Sequence, residues 1–438
     1  MPEYDVLVIG GGPAGIGAAL TSAKKGLKTC IIERHPMLGG NWTNGFVLSI
    51  LGVYTYSGNT KIVGGIVDEL VDRLKKHGGT QGQRGNFIPF RPDEMKLTLE
   101  EFVNDLGITI YYSSMLTGVE VTDSAVKDVE ITGKNGITRI SAKMYIDSTG
   151  DADLAQLSTK NSMSGKEENG EHQEATLPFR IANIDEEKIM EFSRGHPDQI
   201  GAVIRGNSLE RIRILEPLVK KAKEQKKLYL PYGNSEFLFN TSRKGEFVCN
   251  ATHVPILDFT DGKEVAKAIS DARKQIVSSI EFLTENVPGF EEAYLMDSAP
   301  YIGLRETRRG VGEYILKKDD VLGNARFDDA IARCGHPIEI HDPEKGVYYV
   351  HLNGGDDSWY HIPYRSIVLK DIGNVFVIGR CLSAEFAAQA SARVTGTAIA
   401  MGQAAATAGS TAIKNGTRAI DVDIKDLQEE LRKDGAII

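Results

Sequence analysis

Cysteine is scarce in this 438-residue chain: there are four, Cys30, Cys249, Cys334 and Cys381, scattered and without a CxxC pair. That spacing argues against a disulfide framework or a cysteine-ligated zinc site, so no metal is expected and a reducing cytoplasm is the expected compartment. No apolar run reaches the roughly 18 residues that a spanning helix needs, and with strand-like residues beginning at Tyr4 no secretory leader is expected. Basic excess is also missing. Lys and Arg number 51 against 60 Asp and Glu, a formal net charge of −9, which speaks against a nucleic-acid or anionic-membrane partner needing clustered cations. Internal repeats and low-complexity tracts are absent. The length allows two domains, or one large nucleotide domain carrying an inserted one. What the chain has in quantity is glycine, 46 residues, and the placement of these glycines is informative.

Residues 4–9, Tyr-Asp-Val-Leu-Val-Ile, form a short β-rich apolar run suited to a strand buried on both faces. Gly10-Gly11-Gly12-Pro13-Ala14-Gly15 follows at once, then a small-residue helix over about 13–25. In such a unit Gly10 allows the tight turn, Gly12 lets the backbone approach a pyrophosphate, and Gly15 lets the helix pack on the sheet. The free N–H groups at the helix start, around Pro13 and Ala14, then face the phosphates. Residues 27–32 read as a second strand ending at Glu33, about 20 residues beyond the glycines, where a carboxylate grips a ribose diol. Arg34 beside it is placed with the nucleotide contacts. Alone, this unit serves FAD and NAD equally.

Short β segments at 108–112, 116–121, 126–132 and 137–142 read as a meander, with Asn135-Gly136 as a hairpin turn. Residues 144–146 then lead into Asp147-Ser148-Thr149-Gly150. The polar stretch 158–175 reads as an exposed loop. Beyond it, 184–225 and 263–286 have helix-like spacing and 228–253 strand-like segments. The expected division is therefore 1–155 for the first part of the nucleotide domain, 156–345 for a substrate or cap domain, and 346–438 for the return. That return begins with a buried strand at 374–378 running into Gly379-Arg380. Residues 391–412 follow as an almost unbroken row of small side chains that includes Gly396 and Thr397. Such a helix can lie very close to a cofactor, or pack tightly on a sheet.

Gly39-Gly40-Asn41-Trp42-Thr43 resembles the second glycine pair of the glutathione-reductase-like and succinate-dehydrogenase-like flavoproteins. A meander closing on Thr149-Gly150 resembles the same fold. To these are added Gly303-Leu304-Arg305-Glu306-Thr307-Arg308-Arg309, Gly312-Glu313-Tyr314, Ile362-Pro363-Tyr364-Arg365-Ser366, Gly379-Arg380-Cys381-Leu382-Ser383 and Ser391-Ala392-Arg393-Val394. Together they resemble the FAD-dependent oxidoreductase family related to the succinate dehydrogenase and fumarate reductase flavoproteins, over nearly the whole chain and least over 155–295. The resemblance implies an α/β fold: a Rossmann-like FAD-binding domain with a central parallel sheet and β-meander, plus a mixed α+β substrate or cap domain. It implies FAD as cofactor, with contacts from Val119 in the meander, Thr149 and Gly150, Gly379, and the 391–412 helix pointing at the flavin. One departure stands out. Relatives carry an acid after the glycine of the last strand, where this chain has Arg380, so the ribityl contact and the role of Arg380 stay open.

If the flavin carries the redox chemistry, the protein supplies an anchor and an acid–base group. Arg305, Arg308 and Arg309 suit a carboxylate, or equally a structural network with Glu306 and Glu313. Arg365 and Arg393 are similar, with Arg393 favoured because it precedes the small-residue helix. His351 and His361, with Tyr364 behind them, are the acid–base candidates, and an ordinary hydrogen-bonded role is equally open for each. They flank Asn353-Gly354-Gly355-Asp356-Asp357, which reads as a hairpin; they share a face if 351 pairs with 361, and not if 351 pairs with 360. Cys381 lacks a resolving partner, and the stretch around His35 lacks the His-Thr pattern of covalently linked relatives. The expected function is an FAD-dependent oxidoreductase (dehydrogenase, oxidase or reductase) moving hydride between flavin and a small polar substrate, anionic if the arginines are its anchor. The alternatives are a flavin-dependent monooxygenase, disfavoured by the Gly-Arg ending of the last strand, and an electron-transfer flavoprotein subunit. With no second GxGxxG unit for NAD(P)H, the reoxidant, a redox partner and a homo-oligomer stay open.

Overall fold

The computed structural model describes residues 1–205, 208–225, 236–241, 243–343 and 345–438. Its central sheet places Thr109–Tyr111, Thr29–Ile32, Glu3–Ile9 and Gly136–Asp147 side by side, with Val375–Val377 beyond, all parallel. Glu3–Ile9 lies inside this sheet, and Val6, Leu7 and Val8 are fully buried; a centre strand covered on both faces needs this unbroken apolar run. The 12-residue strand Gly136–Asp147 takes part in two structures. From Ser141 onward it pairs with Glu3–Ile9, while Gly136 to Ile140 pair antiparallel with Ala125–Gly133, which in turn pairs with Met115–Thr122. The Rossmann-like sheet and the meander are thus joined through one continuous strand, as expected for the fold.

The helix Pro13–Lys24 is buried along most of its length and packs on the helix Thr395–Asn415. A Cβ at Gly17 would lie 2.5 Å from the Ile399 carbonyl, and one at Gly402 would lie 2.1 Å from the Ala14 carbonyl. The two helices therefore meet backbone to backbone, and this contact is the main reason for the small-residue row. The middle of the chain forms a six-stranded antiparallel sheet ordered Ile200–Arg205, Ser208–Ile214, Glu236–Asn240, Phe247–Cys249, Phe179–Ala182, Tyr294–Ser298. The helix Gly262–Asn286 buries Ala268, Ala272, Ile276, Ser279 and Leu283, one stripe at three- and four-residue spacing.

Two expectations are corrected. The stretch 184–225 is helical only at its ends, Glu186–Gly195 and Glu216–Glu224. Between them, exposed Arg211 and Arg213 alternate with buried Ile212 and Ile214, the two-residue period of a strand. Of the strand-like stretch 228–253, residues 228–235 lie outside the described residues. The hairpin about residues 353–357 does not form. Gly346–Val350 pairs with Ile338–Asp342, and Tyr360–Pro363 pairs with Ala330–Cys334, so each segment finds an earlier strand instead of the other. The turn between them docks elsewhere, Asp357 accepting hydrogen bonds from Thr55 and Ser57. Among the described residues no helix is long and apolar enough to cross a membrane.

Replacing Gly402 by Ala should lower stability by about 1–3 kcal/mol through overpacking of the helix crossing. Gly262→Ala, where an added Cβ would meet nothing within 4 Å, should stay within about 0.5 kcal/mol of the parent. Thermal melts of both variants check this.

Candidate active site

The glycine turn follows the end of Glu3–Ile9, beside the turn that follows Gly136–Asp147. Gly10 has φ +102°, and a Cβ there would lie 2.4 Å from the Ser148 carbonyl. The Ser148 hydroxyl donates to the carbonyls of Ile9 and Gly10 at 2.9 and 2.7 Å, fastening one turn to the other. A Cβ at Gly15 would sit 1.9 Å from the Gly10 carbonyl, so the helix rests directly on the turn. At Gly12 the only heavy atom within 4 Å of such a Cβ is the Gly40 Cα at 3.9 Å. The helix begins with no side-chain cap and no acid in its first turn. Its first N–H groups, with the positive end of the helix dipole, therefore open onto a cleft of about 450 Å³.

Most of the candidate cofactor residues line this cleft: Gly10, Gly12, Pro13, Ala14, Glu33 and Arg34 on one side, Gly40, Asn41, Thr149, Gly150, Gly379 and Arg380 on the others. Glu33 is buried; its carboxylate accepts the N–H groups of Gly11 at 2.7 Å and His35 at 2.8 Å, and burial raises its pKa. His35 also faces the cleft, with its pKa pushed down to about 4 by burial and by Arg34. Asp151 bridges Arg34 and Arg380, each at 3.0 Å. Although burial pushes the other way, Arg380 and Arg34 hold the Asp151 carboxyl below the usual range. Beneath them, fully buried Asp147 accepts the Thr149 N–H and hydroxyl and the Ala155 N–H, fixing the Thr149-Gly150 turn. Cys381 is part of that scaffold: its sulfur accepts the N–H groups of Gly150 and Ala152, and burial drives the thiol pKa well up.

Six candidates sit behind the cleft wall. Gly15 underlies the turn. Gly39, at φ +105°, donates its N–H to the Gly11 carbonyl at 2.8 Å and so ties the two glycine turns together. Trp42 is fully buried, edge-on to Phe90 at 5.9 Å. Val119 is half-buried in the meander beside an apolar cluster. Gly396 packs on the Gly52–Val53 backbone, and the Thr397 hydroxyl donates to the Arg333 carbonyl at 3.2 Å.

The acid–base candidates are placed apart. His351 is on the surface, 3.0 Å from Asp356. His361 accepts the Phe327 N–H at 3.0 Å, its pKa pushed down to about 4 by burial and then by Arg326 and Arg333. Tyr364 is buried with its hydroxyl donating to the Ala419 carbonyl at 2.5 Å, and Arg365 pairs with Asp329 at 3.0 Å on the surface. None of these four lines the cleft. Arg308 does, paired with Asp153, whereas fully buried Arg309 is committed to Glu306.

Arg393 lines the cleft, and Arg305 is buried next in sequence to the lining residue Leu304. Both arginines belong to a buried polar cluster not anticipated from the sequence, with Glu174, His253, Glu339 and His341. The Arg305 guanidinium donates to the Glu174 carbonyl at 2.5 Å and that of Arg393 to the Glu339 carbonyl at 3.4 Å. His253 lies 3.0 Å from Glu174, and His341 lies 3.1 Å from Glu339. A signal was available: Ile338-Glu339-Ile340-His341 alternates apolar and polar residues, which puts Glu339 and His341 on one face of the strand Ile338–Asp342.

With this geometry, the family comparisons are specific. A family model described as FAD dependent oxidoreductase matches residues 5–431, and the chain belongs to that family. It is an enzyme, its cofactor is FAD, and the uncapped helix start, the open face of Gly12 and the carboxylate of Glu33 fit that group. A thiamine thiazole synthase of Methanococcus vannielii is 31% identical over 186 residues, 39% of this chain and 65% of that protein. A digeranylgeranylglycerophospholipid reductase of Thermoplasma volcanium is 31% identical over 160 residues, 34% of this chain and 40% of that protein. The chain thus spans less than two thirds of these relatives. Among solved structures, a flavin-dependent brominase superposes with a TM-score of 0.51 at 13% identity, covering 98% of this chain and 83% of that one, a likeness of fold.

Because Asp151 has a lowered pKa, its ionic contribution to stability is present above its ordinary range near 4 and is lost as pH falls through the folded value. Asp151→Asn should therefore cost about 3 kcal/mol at pH 7, with the gap to wild type narrowing below about pH 4. Melting curves across that range test it.

Proposed function

We propose that this enzyme passes a hydride between FAD and a small polar organic substrate held where the cofactor cleft meets the buried arginines. The observation that carries this reading is the position of Arg393. It lines the cleft, yet its guanidinium runs into the polar cluster, where its Nε has no hydrogen-bond partner. In this reading the N–H groups at the start of Pro13–Lys24 receive the pyrophosphate and Glu33 receives the ribose. The Thr149-Gly150 turn, stiffened by Asp147, and the Arg34–Asp151–Arg380 bridge shape the middle of the cleft. Thr395, which also lines it, begins a helix of 21 residues whose positive end faces the same space. FAD, when bound, supplies the hydride chemistry; the chain's part is to hold, orient and exclude water.

The region 156–345 contributes Glu174, His253, Arg305, Glu339 and His341, and forms the substrate side with Arg393. The finer kinship with succinate dehydrogenase and fumarate reductase flavoproteins belongs to this proposal, supported by the sequence motifs and by the buried arginines. A monooxygenase is disfavoured by the Gly379-Arg380 ending of the last strand.

Purified protein should carry flavin absorbance or take it up from added FAD; protein that does neither overturns the reading. Anaerobic bleaching against hydroxy acids, sugars, amines and enoates should single out a substrate class. Arg393→Met should then keep its flavin while bleaching about 100-fold more slowly, the loss typical of removing a charge-stabilising donor. Bleaching at the parent rate would remove Arg393 from the site.

A further inference from the structure

We infer that His341, oriented by Glu339, exchanges a proton with the substrate, and that Arg305 and Arg393 hold a carboxylate of that same molecule. This rests on the flavoenzyme reading above and names the substrate class for that site: a short hydroxycarboxylate.

The tautomer of His341 follows from its partner. Glu339 is buried, which raises its pKa, but the hydrogen bond from His341 and the charge of Arg393 hold it well below the carboxylate range. An ionised carboxylate only accepts, so the His341 Nε2, 3.1 Å away, carries the proton and Nδ1 is left with a bare lone pair. The Tyr349 hydroxyl donates to the same Glu339 oxygen at 3.1 Å and steadies it. Burial, then Arg305, keeps His341 neutral. Its Nδ1 is buried and has no hydrogen-bond partner among the described residues. By contrast, His253, His336 and His351 each have Nδ1 engaged, with Glu174, the Pro337 carbonyl and Asp356, and that of His361 accepts the Phe327 N–H. A neutral imidazole of fixed tautomer with a free lone pair is a general base in waiting.

The neighbouring atoms state what the base would meet. Arg393 Nε and Gln173 Nε2 are buried donors without acceptors; Glu174 Oε1 and Gln389 Oε1 are buried acceptors without donors. They come from separate parts of the chain but belong to one network. Gln173 accepts the His341 N–H, Glu174 donates its N–H to the His341 carbonyl, Arg305 donates to the Glu174 carbonyl, and Gln389 donates to the Arg305 carbonyl. Among the described residues neither Arg305 nor Arg393 has an ion-pair partner, while Glu174 and Glu339 each have a histidine. Orphaned groups of both kinds at this depth are costly unless a ligand completes them. A molecule with an anionic end for the arginines and an O–H for His341 gives the Arg393 Nε an acceptor and the His341 Nδ1 a donor. Arg393 and His341 both bond to Glu339, one at its carbonyl and the other at its carboxylate, which gathers the two ends about one residue.

In the oxidative direction the substrate C–H bond breaks and its hydride, with both electrons, goes to oxidised FAD. The O–H bond breaks as His341 Nδ1 takes the proton, and C–O becomes C=O. The products are an oxocarboxylate, two-electron-reduced cofactor and an imidazolium that releases its proton later.

Holoenzyme should be bleached anaerobically by at least one of glycolate, lactate, malate and tartrate, and at least about 100-fold more slowly by the corresponding uncharged amide, a comparison that needs no variant. His341→Asn should slow bleaching by about 100-fold or more, the usual general-base range, while calorimetric binding of oxalate stays within about threefold. Arg305→Met should weaken oxalate by about tenfold or more, the loss of a buried charge-assisted contact. Glu339 is a positioning residue: in Glu339→Met, which has no oxygen to accept the bond, ¹⁵N NMR of the imidazole should show the fixed Nε2–H tautomer of His341 lost. Bleaching of His341→Asn at the wild-type rate, amides as effective as acids, or an unaltered tautomer in Glu339→Met would each overturn the inference. A holoenzyme bleached only by compounds without a carboxylate overturns it too, yet leaves the flavoenzyme reading standing; a protein without flavin fails both.

Discussion

The helix Pro13–Lys24 touches the Gly10 turn on one side and the helix Thr395–Asn415 on the other, in both cases backbone against backbone. No side chain larger than hydrogen fits at Gly15, Gly17 or Gly402 without displacing main-chain atoms. Main chain cannot yield as a flexible side chain can, so these contacts set the height of the helix above the sheet. That height in turn sets where the first N–H groups open. The same contact brings the last long helix of the chain, with Arg393 and Thr395 just before and at its start, to the mouth of a cleft built by the first forty residues.

A second constraint is electrostatic. The resemblance placed an acid after the glycine of the last strand, where this chain has Arg380. The missing carboxylate comes from Asp151, after a different strand: Arg380 reaches across Gly150, where a Cβ would lie 2.5 Å from its Nη2, to pair with it. Arg34 completes the bridge from the other side. Charge at that point of the cleft is thus balanced by tertiary pairing, with sign and sequence position exchanged relative to the expected pattern. Buried like charges without such pairing would cost far more than a bridged set.

The parts of the site that depend on local backbone were legible early. Gly10 needs positive φ, Gly12 needs an open face, and the second strand ends on Glu33; each follows from the order of a few neighbouring residues. Trp42 and Val119 are contacts that only the resemblance implies. Trp42 packs edge-on to Phe90 in the core and Val119 lies beside an apolar cluster of the meander, partners that are distant in sequence. The histidines show the sharper limit. His351 and His361 looked paired because a glycine-rich turn lies between them, but strand pairing is cooperative over whole segments and earlier strands offered better partners.

By itself, then, the sequence determined the dinucleotide-binding unit and the small-residue faces, because turn geometry, side-chain period and steric bulk act over a few residues, whereas FAD in place of NAD came with the longer resemblance. Only the tertiary structure decided which arginines become buried without ion-pair partners, which acid answers Arg380, and which histidine keeps a free lone pair. Those outcomes depend on burial and on partners brought together from distant parts of the chain. Gln173, Arg305, His341 and Arg393 come from four separate stretches, and no local spacing rule encodes where such stretches meet.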